Sequence, residues 1–226
     1  MKKYLIASST AYVEILGKRD FFIKKNFNFI NKKKYLTLKK LRKIKPKYIF
    51  FPHWRHKIDS SIYVNYQCIG FHSTPLPYGR GGSPIQNMIA RGFKKTKICA
   101  IKITEKIDEG PIFIKRNMSL NGPGEQIMLR MNNIILKMIK FYVKKLPKEK
   151  KQTGMATYFK RRNHKQSKIS FGKRVDQIYD HIRMLDIQGY PRAFIEQEKY
   201  KIIFKNPVKT GNTIKCLSII EKKEIS

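Results

Sequence analysis

The chain has 226 residues, 41% of them hydrophobic and 12% aromatic, and its 50 Lys+Arg against 15 Asp+Glu give a formal charge of +35. That length and apolar content suit one α/β domain with a full core and a short appendage; they exclude a disordered polycation and leave too little chain for two complete domains. The charge draws nucleic acid, anionic membrane and phosphorylated metabolites alike, so alone it excludes none of them.

In chain order, Tyr4 to Ala7 reads as a first buried strand, because its apolar run stops at Ala7 before polar Ser8, Ser9 and Thr10, too soon for a signal peptide. Leu36, Leu38, Leu41 and Ile44 approximate one stripe of a short crossover helix stopped by Pro46. Lys47 to Phe51, Gln67 to Phe71 and Lys97 to Ile103 complete a set of short apolar runs expected of a mostly parallel, Rossmann-like sheet. Ser83 and Pro84, then Ile85, Met88, Ile89 and Gly92, predict an N-cap, a proline at the first helical position, an apolar face and a glycine stop. From Glu125 to Leu146 a three-to-four spacing of Ile127, Met131, Ile134, Ile135, Met138, Tyr142 and Leu146 marks a long amphipathic helix whose methionines belong to the core.

Residues 147–154 form a charged connector, which divides a main domain of residues 1–150 from a small C-terminal α+β appendage of residues 151–226. Val175, Ile178, Ile182 and Leu185 line a helix there, and residues 190–196, 199–205 and 214–219 suggest short strands. The basic clusters, at 32–34, 39–47, 144–151 and 160–174, are spread along the chain and read as a solvated lysine-biased surface, with nucleic-acid binding as the alternative. Cys68, Cys99 and Cys216 are far apart and odd in number, consistent with three reduced core thiols in a cytoplasmic protein. No Cys-x-x-Cys pair exists, His53, His56 and His72 match no ligand spacing, and no apolar run reaches membrane-spanning length, so neither metal nor membrane insertion is expected.

The chemistry concentrates in Phe71-His72-Ser73-Thr74-Pro75-Leu76-Pro77-Tyr78-Gly79-Arg80-Gly81-Gly82-Ser83-Pro84-Ile85-Gln86 and in Ile107-Asp108-Glu109-Gly110. His72 falls at a strand's carboxyl end just before a Pro-x-Pro turn, the edge where α/β proteins bind ligands, and an imidazole there can donate or accept a proton at neutral pH. Asp108 falls in a tight turn where its carboxylate could orient that imidazole, take a proton from an incoming amine, or simply bond its own backbone.

The first segment resembles the His-x-Ser-Leu-Leu-Pro-x-x-x-Gly signature of the folate-dependent formyltransferases, with His72, Leu76, Pro77 and Gly81 in matching places. The second is similar to that family's Leu-Asp-x-Gly motif, and the likeness continues through Ala156-Thr157-Tyr158 and from Ser170 to Phe194. The resemblance implies a formyltransferase fold that passes a formyl group from 10-formyltetrahydrofolate to an amine. In it His72 would stabilise an oxyanion and protonate the leaving nitrogen, while Asp108 would position His72 and help deprotonate the nucleophile. Trp54, Arg55, His56, Lys57 and Ile58 lie where the family's pterin-binding loop would be, Trp54 serving there as a wall or as a core aromatic. One position departs from the pattern: Gly70 stands where the family has an asparagine that also binds the oxyanion.

For the acceptor, Pro75, Tyr78, Arg80, Gly81 and Ser83 form a loop opening a helix, suited to an anionic or hydroxyl-rich group or else merely to a tight turn. The stretch from Gly154 onward is shorter than the nucleic-acid-binding C-terminal domain of methionyl-tRNA formyltransferases, and the Tyr-Gly-Arg-Gly-Gly-Ser-Pro loop differs from their Arg-Trp-Arg-Gly-Ala-Ala-Pro form. Both features point to a UDP- or dTDP-linked amino sugar of a surface glycan as acceptor, with a homodimer as one assembly open to the chain. The alternatives are a compact methionyl-tRNA formyltransferase and an inactive folate-, nucleotide-sugar- or RNA-binding relative.

Overall fold

The computed structural model describes residues 3–10 and 19–222. The chain divides into two compact units of interleaved segments, the first Met1–Arg80, Ile98–Arg116 and Asn132–Thr157, the second Gly81–Lys97, Asn117–Met131 and Tyr158–Ser226.

Strands β1 (Lys3–Ala7), β2 (Phe27–Ile30), β3 (Pro46–Phe51), β4 (Gln67–His72), β5 (Lys95–Lys102) and β6 (Ile112–Ser119) make one sheet in the order β2-β1-β3-β4-β5-β6. The first four are mutually parallel, and the runs Leu5 to Ala7 and Ile49 to Phe51 are buried along their length, as covering of both sheet faces requires. The expected fourth parallel strand is present as β5, yet it runs antiparallel to β4, with His72 opposite Cys99. An apolar run carries no direction. The helix between these strands, α4 (Pro84–Ala90), has seven residues and spans about 10 Å, too short to return the chain along a strand of roughly 20 Å.

Two strands of this sheet escaped the sequence reading. In β6 the buried residues Ile112, Ile114 and Met118 surround exposed Lys115, Arg116 and Asn117, which hide the alternation. The four-residue β2 lies at the sheet edge among lysines and follows the short helix α1 (Asp20–Lys24).

Helix α2 (Leu38–Ile44) begins later than the apolar stripe suggests, because the Thr37 hydroxyl accepts the Lys40 N–H at 3.2 Å and caps it. Lys45 then turns left-handed (φ +49°) ahead of Pro46, ending the helix. Leu41 is fully buried, and Leu36, Leu38 and Ile44 pack on a core of Leu5, Ala7, Ile30, Ile49 and Cys68. Helix α3 (Ser60–Asn65) starts on the Asp59 carboxylate, which accepts the Ser61 N–H. Within the first unit, the C-terminal half of α5 (Gly124–Lys145) buries Ile135, Met138, Ile139 and Tyr142. The Tyr142 ring meets Tyr48, Phe50 and Phe113 edge-on at 5.3, 5.5 and 5.1 Å.

In the second unit, α6 (Val175–Leu185) and the antiparallel sheet β9-β8-β7, formed by β7 (Phe194–Gln197), β8 (Tyr200–Thr210) and β9 (Thr213–Lys222), realise the expected helix and three strands. Buried Arg183 donates to Asp180 at 2.6 Å and to the carbonyls of Leu120 and Gly122 at 2.7 and 2.8 Å. Cys68 and Cys99 are buried as expected, whereas Cys216 on β9 is only half-buried, because one face of that strand is largely exposed. Among the described residues no helix is long and apolar enough to cross a membrane.

Candidate active site

All the catalytic candidates lie in the first unit. β4 carries His72 to its carboxyl end, buried to 6% exposure, and the turn after β5 carries Asp108. The two meet: His72 Nδ1 lies 3.3 Å from Asp108 Oδ2, and the carboxylate keeps 19% exposure. The other ring nitrogen, Nε2, donates to the Gly79 carbonyl at 2.8 Å. Because a carbonyl only accepts, Nε2 carries hydrogen here. Asp108 adopts φ +57°, a left-handed conformation that costs a non-glycine residue about 1 kcal/mol or more, so its turn must be held by its surroundings.

The residues holding it come from the segment expected to be a featureless connector. Gln152 Nε2 donates to the backbone oxygens of Asp108 and Gly110 at 2.7 and 2.8 Å. Gln152 Oε1 accepts from Arg80 Nε and Nη2 at 3.3 and 2.9 Å, and Arg80 Nη1 pairs with Glu109 at 3.1 Å. Thr157 secures the other turn: its hydroxyl accepts the Gly79 N–H at 2.8 Å and its carbonyl accepts the Arg80 N–H at 2.9 Å. Lys150 exchanges two backbone bonds with Ile112, anchoring the segment to β6. Gln152 carried no sequence signal, since a single amide among lysines looks like any solvated residue.

Several expected substrate-loop residues take structural positions. The Arg80 guanidinium, expected to meet an anionic acceptor, is only 11% exposed and ties Gln152 to Glu109. Ser83 stands at the start of α4 but does not cap it: at φ +49° its hydroxyl turns away and accepts the Arg162 N–H at 3.1 Å. Gly81, at φ +98°, leaves no room for a Cβ, which would sit 2.5 Å from the Phe159 carbonyl oxygen. A Cβ at Gly82 would sit 2.5 Å from the Arg161 Cα. The glycine-rich form of this loop thus has its explanation in backbone crowding. Pro75 and Tyr78 are half-buried.

In the expected pterin loop, Trp54 and Ile58 pack on the core and Trp54 meets the Phe51 ring edge-on at 5.7 Å, while Arg55, His56 and Lys57 are exposed. The Trp54 indole N–H is shut from solvent without a hydrogen-bond partner. Neighbouring His53 bonds Asn132 Oδ1 at 2.6 Å, and burial holds its imidazole below the usual histidine range. Among the described residues no group of three His, Cys, Asp or Glu is placed to hold a metal ion.

Gly70 sits mid-β4 between Phe51 and Ile101. A Cβ there would stand 3.3 Å from Ile103 Cγ1, so this isoleucine occupies the space the family's asparagine side chain would enter.

The comparisons with known proteins agree with one another. Residues 164–220 match the methionyl-tRNA formyltransferase C-terminal domain family. The chain is 42% identical to the solved methionyl-tRNA formyltransferase from Clostridium thermocellum, covering 99% of this chain and 100% of that one at a TM-score of 0.94. It is 27% identical to the methionyl-tRNA formyltransferase of Thermodesulfovibrio yellowstonii over 83% of this chain, and spans 63% of that relative's length. A sugar N-formyltransferase from a Shewanella species shares the fold, with a TM-score of 0.67 at 16% identity. These findings overturn the amino-sugar reading of acceptor and partner: the identity lies with the tRNA-type proteins. The short tail that suggested a sugar enzyme is itself matched to the tRNA-type C-terminal domain, as α6 and the β9-β8-β7 sheet.

Proposed function

The chain belongs to the methionyl-tRNA formyltransferase family, and on that footing we propose that it transfers a formyl group from 10-formyltetrahydrofolate to the α-amino group of methionyl-tRNA. The observation that carries the reading is the His72–Asp108 pair, 3.3 Å apart and formed by two motifs distant in sequence. The amine forms a bond to the formyl carbon, the bond from that carbon to the folate nitrogen breaks, and the amine's proton replaces the formyl group on that nitrogen. His72 offers its Nε2–H to the formyl oxygen as negative charge gathers there, which requires the Gly79 carbonyl to release it. Asp108 holds the imidazole and stabilises its charged form while the proton is in transit. Trp54, Arg55, His56, Lys57 and Ile58 remain the proposed folate-contacting residues: Trp54 and Ile58 supply apolar walls, and Arg55, His56 and Lys57 an exposed polar rim.

The net charge of +35 supports a polyanionic acceptor and makes binding steeply salt-dependent. One observation favours a slower or non-catalytic relative, namely Ile103 in place of the asparagine amide beside Gly70. The test is single-turnover formylation of charged initiator tRNA with 10-formyltetrahydrofolate by wild type, His72→Ala and Asp108→Asn. Product from wild type and a loss of about 10²–10⁴-fold in either variant supports the enzyme, whereas tRNA retention without product supports the binding relative.

A further inference from the structure

We infer that Gln152 is a positioning residue for the formyl-transfer site, clamping the turn that presents Asp108 to the loop that follows His72. The inference rests on the function proposed above. A primary amide has two N–H donors and an oxygen with two acceptor positions, and Gln152 uses all four. Its donors go to the carbonyls of Asp108 and Gly110, its oxygen accepts twice from Arg80, and Arg80 closes the ring through Glu109. Asp108 occupies a left-handed conformation that costs a non-glycine residue about 1 kcal/mol, so two bonds to the carbonyls around it help decide whether the turn keeps that shape. The same Arg80 is bonded through its N–H to Thr157, whose hydroxyl holds Gly79 against His72 Nε2. One amide thereby sets the spacing of both groups facing the imidazole. It acts through Asp108, since its own donors are engaged within the turn.

Two variants separate this role from general stability. Gln152→Glu keeps size and the Arg80 contact but replaces both donors with an acceptor facing two carbonyls; Gln152→Met keeps volume and loses every bond. Each is compared with wild type in formylation kinetics and in the ¹⁵N imidazole spectrum of His72, assigned with a His72→Gln variant. The expected result is a kcat lower by about 10²-fold with KM for folate and tRNA within threefold. The two His72 nitrogen signals are expected to be distinct in wild type, where the ring nitrogens meet different partners, and to move toward those of an unconstrained histidine in the variants. Unchanged His72 signals in both variants overturn the inference, whatever the kinetics. Should wild type formylate no tRNA, the proposed function fails, and the His72 spectrum still decides whether Gln152 sets the pair.

Discussion

Replacing Gly110 with alanine tests how tightly the aspartate turn is fitted. Gly110 is buried against β5, where an added Cβ would overlap the Lys102 carbonyl oxygen and stand 2.9 Å from the Lys102 carbonyl carbon. Carbon atoms rest at about 3.5 Å or more, so the turn or the strand must retreat by roughly 0.6 Å at the carbon and further at the oxygen. β5 resists, because Ile103 donates to Cys68 at 2.9 Å and Lys102 pairs with Ile69 of β4. The movement therefore falls on the turn, and it stretches the His72–Asp108 contact from 3.3 Å toward the limit of an ion pair. A misplacement approaching 1 Å costs about 10²-fold in rate. Overpacking of this size costs about 1–3 kcal/mol, or roughly 2–12 °C of Tm in a chain of this length. Formylation kinetics beside thermal unfolding read both. A Gly110→Ala protein with kcat within threefold of wild type would refute the claim that this turn sets the reactive geometry.

Arg183→Met removes the guanidinium that pairs with Asp180 and closes the carbonyls of Leu120 and Gly122, and urea titration should show a loss of about 3–5 kcal/mol, because a buried carboxylate loses its main partner. Lys94 also pairs with Asp180, so a value near the lower end is expected. Burial lowers the pKa of His181 despite its bond to the Ser167 carbonyl, and lowers that of His53 as well. With folded values below the unfolded value of about 6.5, both favour the folded state above that pH, and their contribution is lost as pH falls through 6.5 toward the folded values. Stability between pH 7 and pH 5 should therefore fall, with a gentler slope in His181→Asn; equal slopes would contradict the assignment. Burial pushes the Cys68 thiol up to about 12, and Cys99 is buried with its thiol on the Thr74 carbonyl, so native protein at pH 8 should alkylate first at half-buried Cys216. Mass spectrometry locates the label, and early modification of Cys68 would contradict the burial of β4.

The legible part of this fold is the part written in periodicity. The strands at Tyr4 to Ala7, Lys47 to Phe51 and Gln67 to Phe71, the long helix α5 and the helix α6 follow directly from apolar spacing, because burial of both sheet faces or one helix face leaves that imprint. The direction of β5 does not, since it depends on how little chain α4 supplies for a crossover. The His72 and Asp108 motifs were visible, and so was their meeting, but the clamp on them was not. Gln152 and Thr157 act through hydrogen bonds made at chain positions far from both motifs, and no spacing rule encodes such contacts. The acceptor reading rested on the length of the tail and the form of the loop, and neither carries its cause in sequence: the tail matches the tRNA-type C-terminal domain, and Gly81 and Gly82 make room for Phe159 and Arg161.

The central claim is that the His72–Asp108 pair transfers a formyl group to methionyl-tRNA. The most direct measurement is mass spectrometry of methionyl-tRNA incubated with 10-formyltetrahydrofolate and wild-type protein, His72→Ala serving as the control. One added formyl group on the methionine amine is expected with wild type, and a rate lower by about 10²-fold or more in the variant. Formylation that survives the loss of His72 unchanged, or wild-type protein that folds and binds tRNA yet leaves it unmodified, would contradict it.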